Sequence, residues 1–201
     1  TAHQKDVLLH ELQHRVKKSI QLITGFVSLQ RRKTKHSETH EHLDVIASRI
    51  EALRVMYDKF YLVDHHGEID FGTYLEELCG SLLQFQMAER KSVRLDIRCA
   101  RLPVNLDKSV PLGLLTSEFV VNSLKHAFLD GRDGMLTVRL EAVDGQRARL
   151  LLADNGSGMP ATAAIGRGSG IGLIEQLADQ ADATLTWDRT AGTRVELVFP
   201  L

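Results

Sequence analysis

Two stretches of this chain hold residue types at spacings from which chemistry can be built. The first is HELQH, residues 10–14. His10 and His14 stand one helical turn apart with Glu11 between them, the H-E-x-x-H pattern in which two imidazoles hold Zn²⁺ and the carboxylate activates water. That chemistry needs a third ligand, and no H-x-x-G-x-x-H continuation follows; the next residues, RVKKSIQ, are basic and then amphipathic. The alternative is that one histidine is a nucleophile. His14 lies about 200° around the helical wheel from both Leu12 and Val16, so it points away from the apolar seam. Neutral imidazole is a nitrogen nucleophile, and Arg15, Lys17 and Lys18 offer cations to an anionic substrate. Glu11, three residues back on the same face, is a candidate to orient the ring or take its proton.

The second stretch is SEFVVNSLKHAF followed by a glycine-rich loop. Glu118, Asn122, Lys125 and His126 sit at i, i+4, i+7 and i+8, one face of a helix. A carboxylate and an amide one turn apart suit Mg²⁺, which takes oxygen ligands and shares phosphate oxygens. A lysine one turn on meets phosphate as a point charge. Taken alone, such a face is more often simply solvated. The loop DNGSGMPATAAIGRGSGIGL (154–173) shifts that balance, because Gly156, Gly158, Gly166, Gly168, Gly170 and Gly172 let backbone approach a ligand closely. GRGSGIG opens a helix, whose free N–H groups favour phosphate. The spacing is neither a P-loop nor a Rossmann fingerprint.

The elements that must position these residues follow from periodicity. Residues 7–32 read as one helix with Leu9, Leu12, Val16, Ile20, Ile23 and Val27 on a seam, and 41–63 as a second with Leu43, Ile46, Ile50, Leu53, Tyr57 and Phe60. KTKHSETH between them has no apolar anchor and reads as a turn. A lone hairpin cannot bury both seams, so a second copy completing a four-helix bundle is expected; packing on a neighbouring domain is the alternative. DHHGEID (64–70) reads as a linker. Beyond it, helices at 69–87, 106–128 and 172–181 alternate with strands at 93–100, 135–143, 146–154, 183–189 and 193–200. Asp144-Gly145 marks a hairpin, so the sheet is at least partly antiparallel and the fold is α+β.

Composition narrows the class. The net charge of −1 and the 5% aromatic content argue against a nucleic-acid surface. Cys79 and Cys99 form no C-x-x-C pair, which fits a reduced, cytoplasmic setting. No apolar run reaches the ~20 residues of a membrane span. The opening, TAHQKDVLL, is already helical in pattern, so an upstream sensory domain on a longer chain is expected.

At this point the motifs acquire a family likeness. EFVVNSLKHAF resembles the N box of the GHKL-type ATPases, DNGSGMP their first Gly box, GRGSGIGL their second and GTRVELVFP their closing strand, in family order over roughly residues 70–201. The resemblance implies that Asn122 coordinates Mg²⁺ with Glu118 in support, and that Asp154 binds the adenine amino group in a pocket shaped by Gly156 and Gly158. It also implies that Lys125, His126, Gly168, Gly170 and Gly172 lie near the phosphates, and that Thr193 helps on the adenine side. LLHELQHRVKKSIQLITGFVSLQRR resembles the phosphoacceptor helix of sensor histidine kinases, in the H-R-x-x-N subgroup related to the HWE kinases. Lys18 and Ser19 stand where that subgroup carries two asparagines. The likeness makes His14 the phosphorylated residue.

The combined expectation is an antiparallel helical hairpin for dimerisation and histidine phosphotransfer (1–66), then an ATP-binding α/β sandwich with a mixed sheet (67–201). Such a chain takes the γ-phosphoryl group of ATP onto His14, with Mg²⁺, and gives it to an aspartate of a response-regulator receiver domain. A non-catalytic phosphotransfer or scaffold protein with an ATPase-like domain is the competing expectation. His36, His40, His42, His65 and His66 lack partners at ligand spacing and read as surface residues near turns.

Overall fold

The computed structural model describes residues 2–62, 67–86, 93–129, 133–158 and 170–201. Two long helices open the chain, α1 (Ala2–Lys33) and α2 (Ser37–Leu62). The turn between them is closed by Thr34 N–H on the Gln30 carbonyl (3.0 Å) and by the His40 ring on the Thr34 carbonyl (2.9 Å). The helices run antiparallel. Arg31 meets Asp44 at 2.7 Å near the turn, and the Tyr57 hydroxyl donates to the Gln13 carbonyl at 2.9 Å near the open end.

The expected seam is only half covered. Leu12, Val16 and Ile23 of α1 and Ile46 and Leu53 of α2 remain exposed, as do Leu22 and Phe26, the latter at 65%. A different face of α2, with Ser48, Ala52, Val55 and Met56, is buried. It packs on two helices of the following domain, α3 (Phe71–Gln86) and α4 (Leu106–Asn122). Thus α2 serves two interfaces, and packing on the neighbouring domain uses residues beside the seam rather than the seam itself.

Three of the seven residues of the expected linker form a strand. Residues 63–66 lie outside the described residues, but β1 (Glu68–Asp70) pairs antiparallel with β3 (Pro103–Asn105), a two-stranded ribbon too short to show a period in the sequence. The main sheet has five strands: β2 (Val93–Cys99), β4 (Gly134–Ala142), β5 (Arg147–Asp154), β6 (Thr184–Asp188) and β7 (Thr193–Pro200). Their order is β2-β4-β5-β7-β6, with β2–β4 parallel and the rest antiparallel. The sheet is mixed, as the pattern indicates.

Strand alternation sorts the two faces. Leu136, Val138 and Leu140 of β4, Ala148, Leu150 and Leu152 of β5, and Val195, Leu197 and Phe199 of β7 are buried under α3, α4 and a short helix, α5 (Gly170–Gln180). The opposite face is laced with charge: Arg149 meets Glu141 (2.9 Å) and Glu196 (3.2 Å), and Arg139 pairs with Asp96. One buried face and one solvated face make a two-layer sandwich. Burial pushes the Cys79 thiol far up and the Cys99 thiol up to about 12, so neither is a poised nucleophile.

Candidate active site

The alternation that builds the core also delivers the site. Continuing the buried series Ala148, Leu150, Leu152 places Asp154 on the same face at the end of β5. Continuing Phe199, Leu197, Val195 backwards places Thr193 at the start of β7, and the two residues are register partners. Asp154 is 6% exposed. Its Oδ1 accepts the Gly156 N–H (2.9 Å) and the Thr193 N–H (3.2 Å), while Oδ2 accepts the Ser123 hydroxyl (2.8 Å). A carboxylate offers about four lone-pair sites, and the described residues use three of them.

The turn beside it depends on one glycine. Gly192 has φ +89°, and a Cβ there would stand 2.1 Å from the Asp154 carbonyl oxygen. Gly158, at φ +76°, lies against the carbonyls of Gly192 and Arg189. Trp187 packs half-buried on the rim formed by β6, with the Arg189 guanidinium 5.3 Å from its ring centroid.

Asn122 closes α4, and α4 passes straight into a π-helical turn, Ser123–Ala127. Such turns add a residue to the helical repeat and are frequent at functional sites. Gly156 packs on this turn, and the Ser157 N–H donates to the Ala127 carbonyl (3.0 Å). From the other side comes the N-terminus of α5. A Cβ on Gly170 would meet the Asn122 side-chain nitrogen at 2.5 Å, so the start of α5 touches the Asn122 amide. Gly172 lies in the same first turn; Gly168 falls outside the described residues. Three segments distant in sequence therefore meet: an oxygen-bearing helix, a helix N-terminus that favours anions, and a nearly buried carboxylate.

Glu118 is 5% exposed, and the Arg49 Nε of α2 stands 2.5 Å from its Oε1. The buried carboxylate is thus compensated by a cation. Glu118 and Asn122, one turn apart on α4, carry a carboxylate and an amide oxygen, the donor types that Mg²⁺ accepts alongside phosphate oxygens. Lys125 is turned toward the hairpin: its Nζ donates to the Glu41 carbonyl (3.1 Å) and lies 3.9 Å from Asp44 Oδ2. His126 is exposed.

The other half of the chemistry lies further along the hairpin. His14 is exposed and borders a cleft of about 590 Å³, shared with His10 and Lys17 of α1, Tyr57 and Asp58 of α2 and Glu77 of α3. Glu11 is 2.6 Å from Arg15 on the outer face, and Lys17 is 3.5 Å from Asp58, so two of the three neighbouring cations already face carboxylates. Among the described residues, no three His, Cys, Asp or Glu side chains gather as a metal site. Arg49, level with Glu118, and Tyr57, level with Gln13, are about 12 Å apart along α2 at ~1.5 Å rise per residue. His14 and the N-box helix consequently face different levels of the hairpin.

Ser123, Arg49 and Gly192 were not among the residues singled out from sequence. Ser123 and Gly192 adjoin Asn122 and Thr193, and that adjacency was the available signal. Nothing local to Arg49 ties it to Glu118, 69 positions away.

Two family models match the chain. Residues 11–86 match a histidine kinase model, and residues 107–201 match the histidine kinase-, DNA gyrase B- and HSP90-like ATPases. The chain is 26% identical over its whole length to blue-light-activated histidine kinase 2 of Erythrobacter litoralis, covering 59% of that protein. It is 26% identical over 84% of its length to sensor histidine kinase PdtaS of Mycobacterium tuberculosis, covering 33% of it. It therefore spans about a third to three-fifths of these relatives. Among solved structures, the histidine kinase domain of the Erythrobacter litoralis EL346 blue-light-activated kinase superposes with a TM-score of 0.73 at 26% identity, covering 100% of this chain and 94% of that one. Among the described residues, no helix is long and apolar enough to cross a membrane.

Proposed function

The chain belongs to the histidine kinases of two-component signalling and carries a GHKL-type ATPase domain, and from that premise we propose that it phosphorylates itself on His14 from ATP. An unprotonated ring nitrogen of His14 attacks the γ-phosphorus, the bond to the β–γ bridging oxygen breaks, and ADP leaves. The proton on the other ring nitrogen passes to a base or to water. The phosphoryl group then moves to an aspartate of a response-regulator receiver domain, which regenerates the imidazole. Phosphoryl transfer asks mainly for positioning and charge neutralisation, so one exposed histidine and one nucleotide site suffice.

In this reading Asp154 accepts the adenine amino group, with Gly156, Gly158 and Thr193 shaping that end. Gly168, Gly170 and Gly172 hold the phosphates from the N-terminal side of α5, and Lys125 and His126 close on them. Asn122 and Glu118 hold Mg²⁺, which when bound neutralises charge on the β- and γ-phosphate oxygens. Glu11 remains the proposed helper to His14, acting once it leaves Arg15. Residues 1–66 serve dimerisation and phosphotransfer, and residues 67–201 bind nucleotide. The exposed apolar strip along α1 is the surface for a second copy, and an upstream sensory domain outside this chain supplies the signal.

The observation that carries this reading is the meeting of Asn122 with the start of α5 beside the Ser123–Asp154 hydrogen bond. The test is incubation with γ-labelled ATP. Wild type is expected to take up acid-labile label. His14→Ala is expected to take up none while still binding nucleotide, and Asn122→Ala to lose Mg–ATP use. Label persisting in His14→Ala would sink the assignment. Absence of Mg–ATP binding by wild type would instead support the scaffold alternative.

A further inference from the structure

The nucleotide site and the hairpin compete for the same side chains. Glu118 and Lys125, seven positions apart on one helix face, are the charged groups of the N box, and both are occupied by α2. Arg49 holds the Glu118 carboxylate at 2.5 Å, while the Glu41 carbonyl holds Lys125 Nζ at 3.1 Å with Asp44 Oδ2 at 3.9 Å. The contact is well formed between them, since the Ser117 hydroxyl donates to the Ser48 carbonyl at 3.2 Å. Glu118 is 5% exposed and Asp44 14%, whereas Arg49 is 43% exposed and Asp44 also faces Arg31 at 2.7 Å, so Glu118 is the shielded charge on which the contact turns.

We propose that this is a clamp which Mg–ATP binding opens: Arg49 stands where the metal's positive charge is needed, and Asp44 with Glu41 stands where the phosphates are needed. The inference rests on the nucleotide-binding reading above and adds its regulation. The physical argument is linkage. Pulling α4 away from α2 breaks the Arg49–Glu118 and Lys125–Glu41 contacts and leaves both N-box charges without those partners. A bound Mg²⁺ supplies a countercharge for Glu118, and the triphosphate supplies a partner for Lys125, so the loaded domain separates from the hairpin at lower cost than the empty one. The docked N box faces α2 about 12 Å along the helix from the level of the same chain's His14 at ~1.5 Å per residue, so transfer within one chain needs the separation. The empty domain is thus parked, and loading releases it toward the nucleophile.

Reciprocity gives the test its sign. If docking and loading compete, breaking the clamp tightens nucleotide binding. Simple electrostatics predicts the reverse for Arg49, since deleting a cation near a site for an anion weakens it. Binding of Mg–AMPPNP to the full chain is measured by calorimetry for wild type, Arg49→Gln and Asp44→Asn, with thermal melts to confirm folding. Both variants are expected to bind roughly fivefold or more tightly than wild type. Unchanged or weaker binding in a folded Arg49→Gln or Asp44→Asn overturns the clamp and leaves the nucleotide site standing. No binding by wild type overturns the nucleotide reading, and the clamp with it.

Discussion

The Ser123 hydroxyl donates to Asp154 Oδ2 at 2.8 Å, so the end of the N-box helix directly holds the carboxylate at the end of β5. Oδ1 is fixed by two backbone N–H groups, and the serine hydroxyl fixes Oδ2. Ser123→Ala should weaken ATP binding about tenfold, the scale of a hydrogen bond to a charged group. It should also erode preference for adenine over guanine nucleotides. Calorimetry with ATP and GTP reads both, and an unaltered ATP affinity would remove Ser123 from the site.

Gly192 is expected to be intolerant of substitution. With φ at +89° and the Asp154 carbonyl 2.1 Å from the position of a Cβ, Gly192→Ala combines backbone strain with a backbone clash. A loss of about 2–4 kcal/mol is expected in denaturant unfolding. Gly145→Ala, at a turn where an added Cβ meets nothing within 4 Å, is the matched control and should cost far less.

The hairpin's attachment to α3 carries a pH signature. Glu51 of α2 accepts from Arg54 and from Ser81 of α3. The Arg54 hydrogen bond holds its pKa down against the opposing effect of burial, with Ser81 adding to the lowering. A carboxylate with a depressed folded pKa contributes stability that is full above its unfolded pKa, near 4.5, and is lost as pH falls through the folded value. Wild type should therefore exceed Glu51→Gln in unfolding free energy at pH 6, and the gap should close as pH falls below about 4. A gap independent of pH would mean that Glu51 acts by packing alone.

The apolar strip on α1 should decide oligomeric state. Leu22 and Phe26 are exposed by 62% and 65% and lie one turn apart, so a second hairpin can cover both. Sedimentation is expected to show a dimer for wild type and a monomer for Leu22→Asp/Phe26→Asp. A monomeric wild type would refute self-association through this face.

The parts of the fold read correctly from sequence are those with a clear period. The β7 strand Thr193–Pro200 falls where its alternation puts it, and both hairpin helices end within a few residues of their apolar pattern. Glu68–Asp70 reads as linker because three residues have no measurable period, and its pairing with Pro103–Asn105 is a tertiary fact. The same limit applies to the site. Asp154, Asn122 and Thr193 follow from motif and alternation. The π turn after Asn122 does not, because an added backbone residue leaves side-chain identities unchanged while re-aiming Lys125 at Glu41. Glu11 shows a further limit: helical spacing puts it within reach of both His14 and Arg15, and opposite charge selects Arg15.

Trp187 is the chain's only tryptophan. It sits on β6, where the following residues reach back to Gly158 through the Arg189 carbonyl. Indole emission responds to nearby charge and to solvent access, and this ring already lies under a guanidinium. The protein thus contains its own optical probe near the proposed adenine end. Nucleotide entry can be timed in a stopped-flow mixer on unlabelled material, separately from any transfer of label to His14.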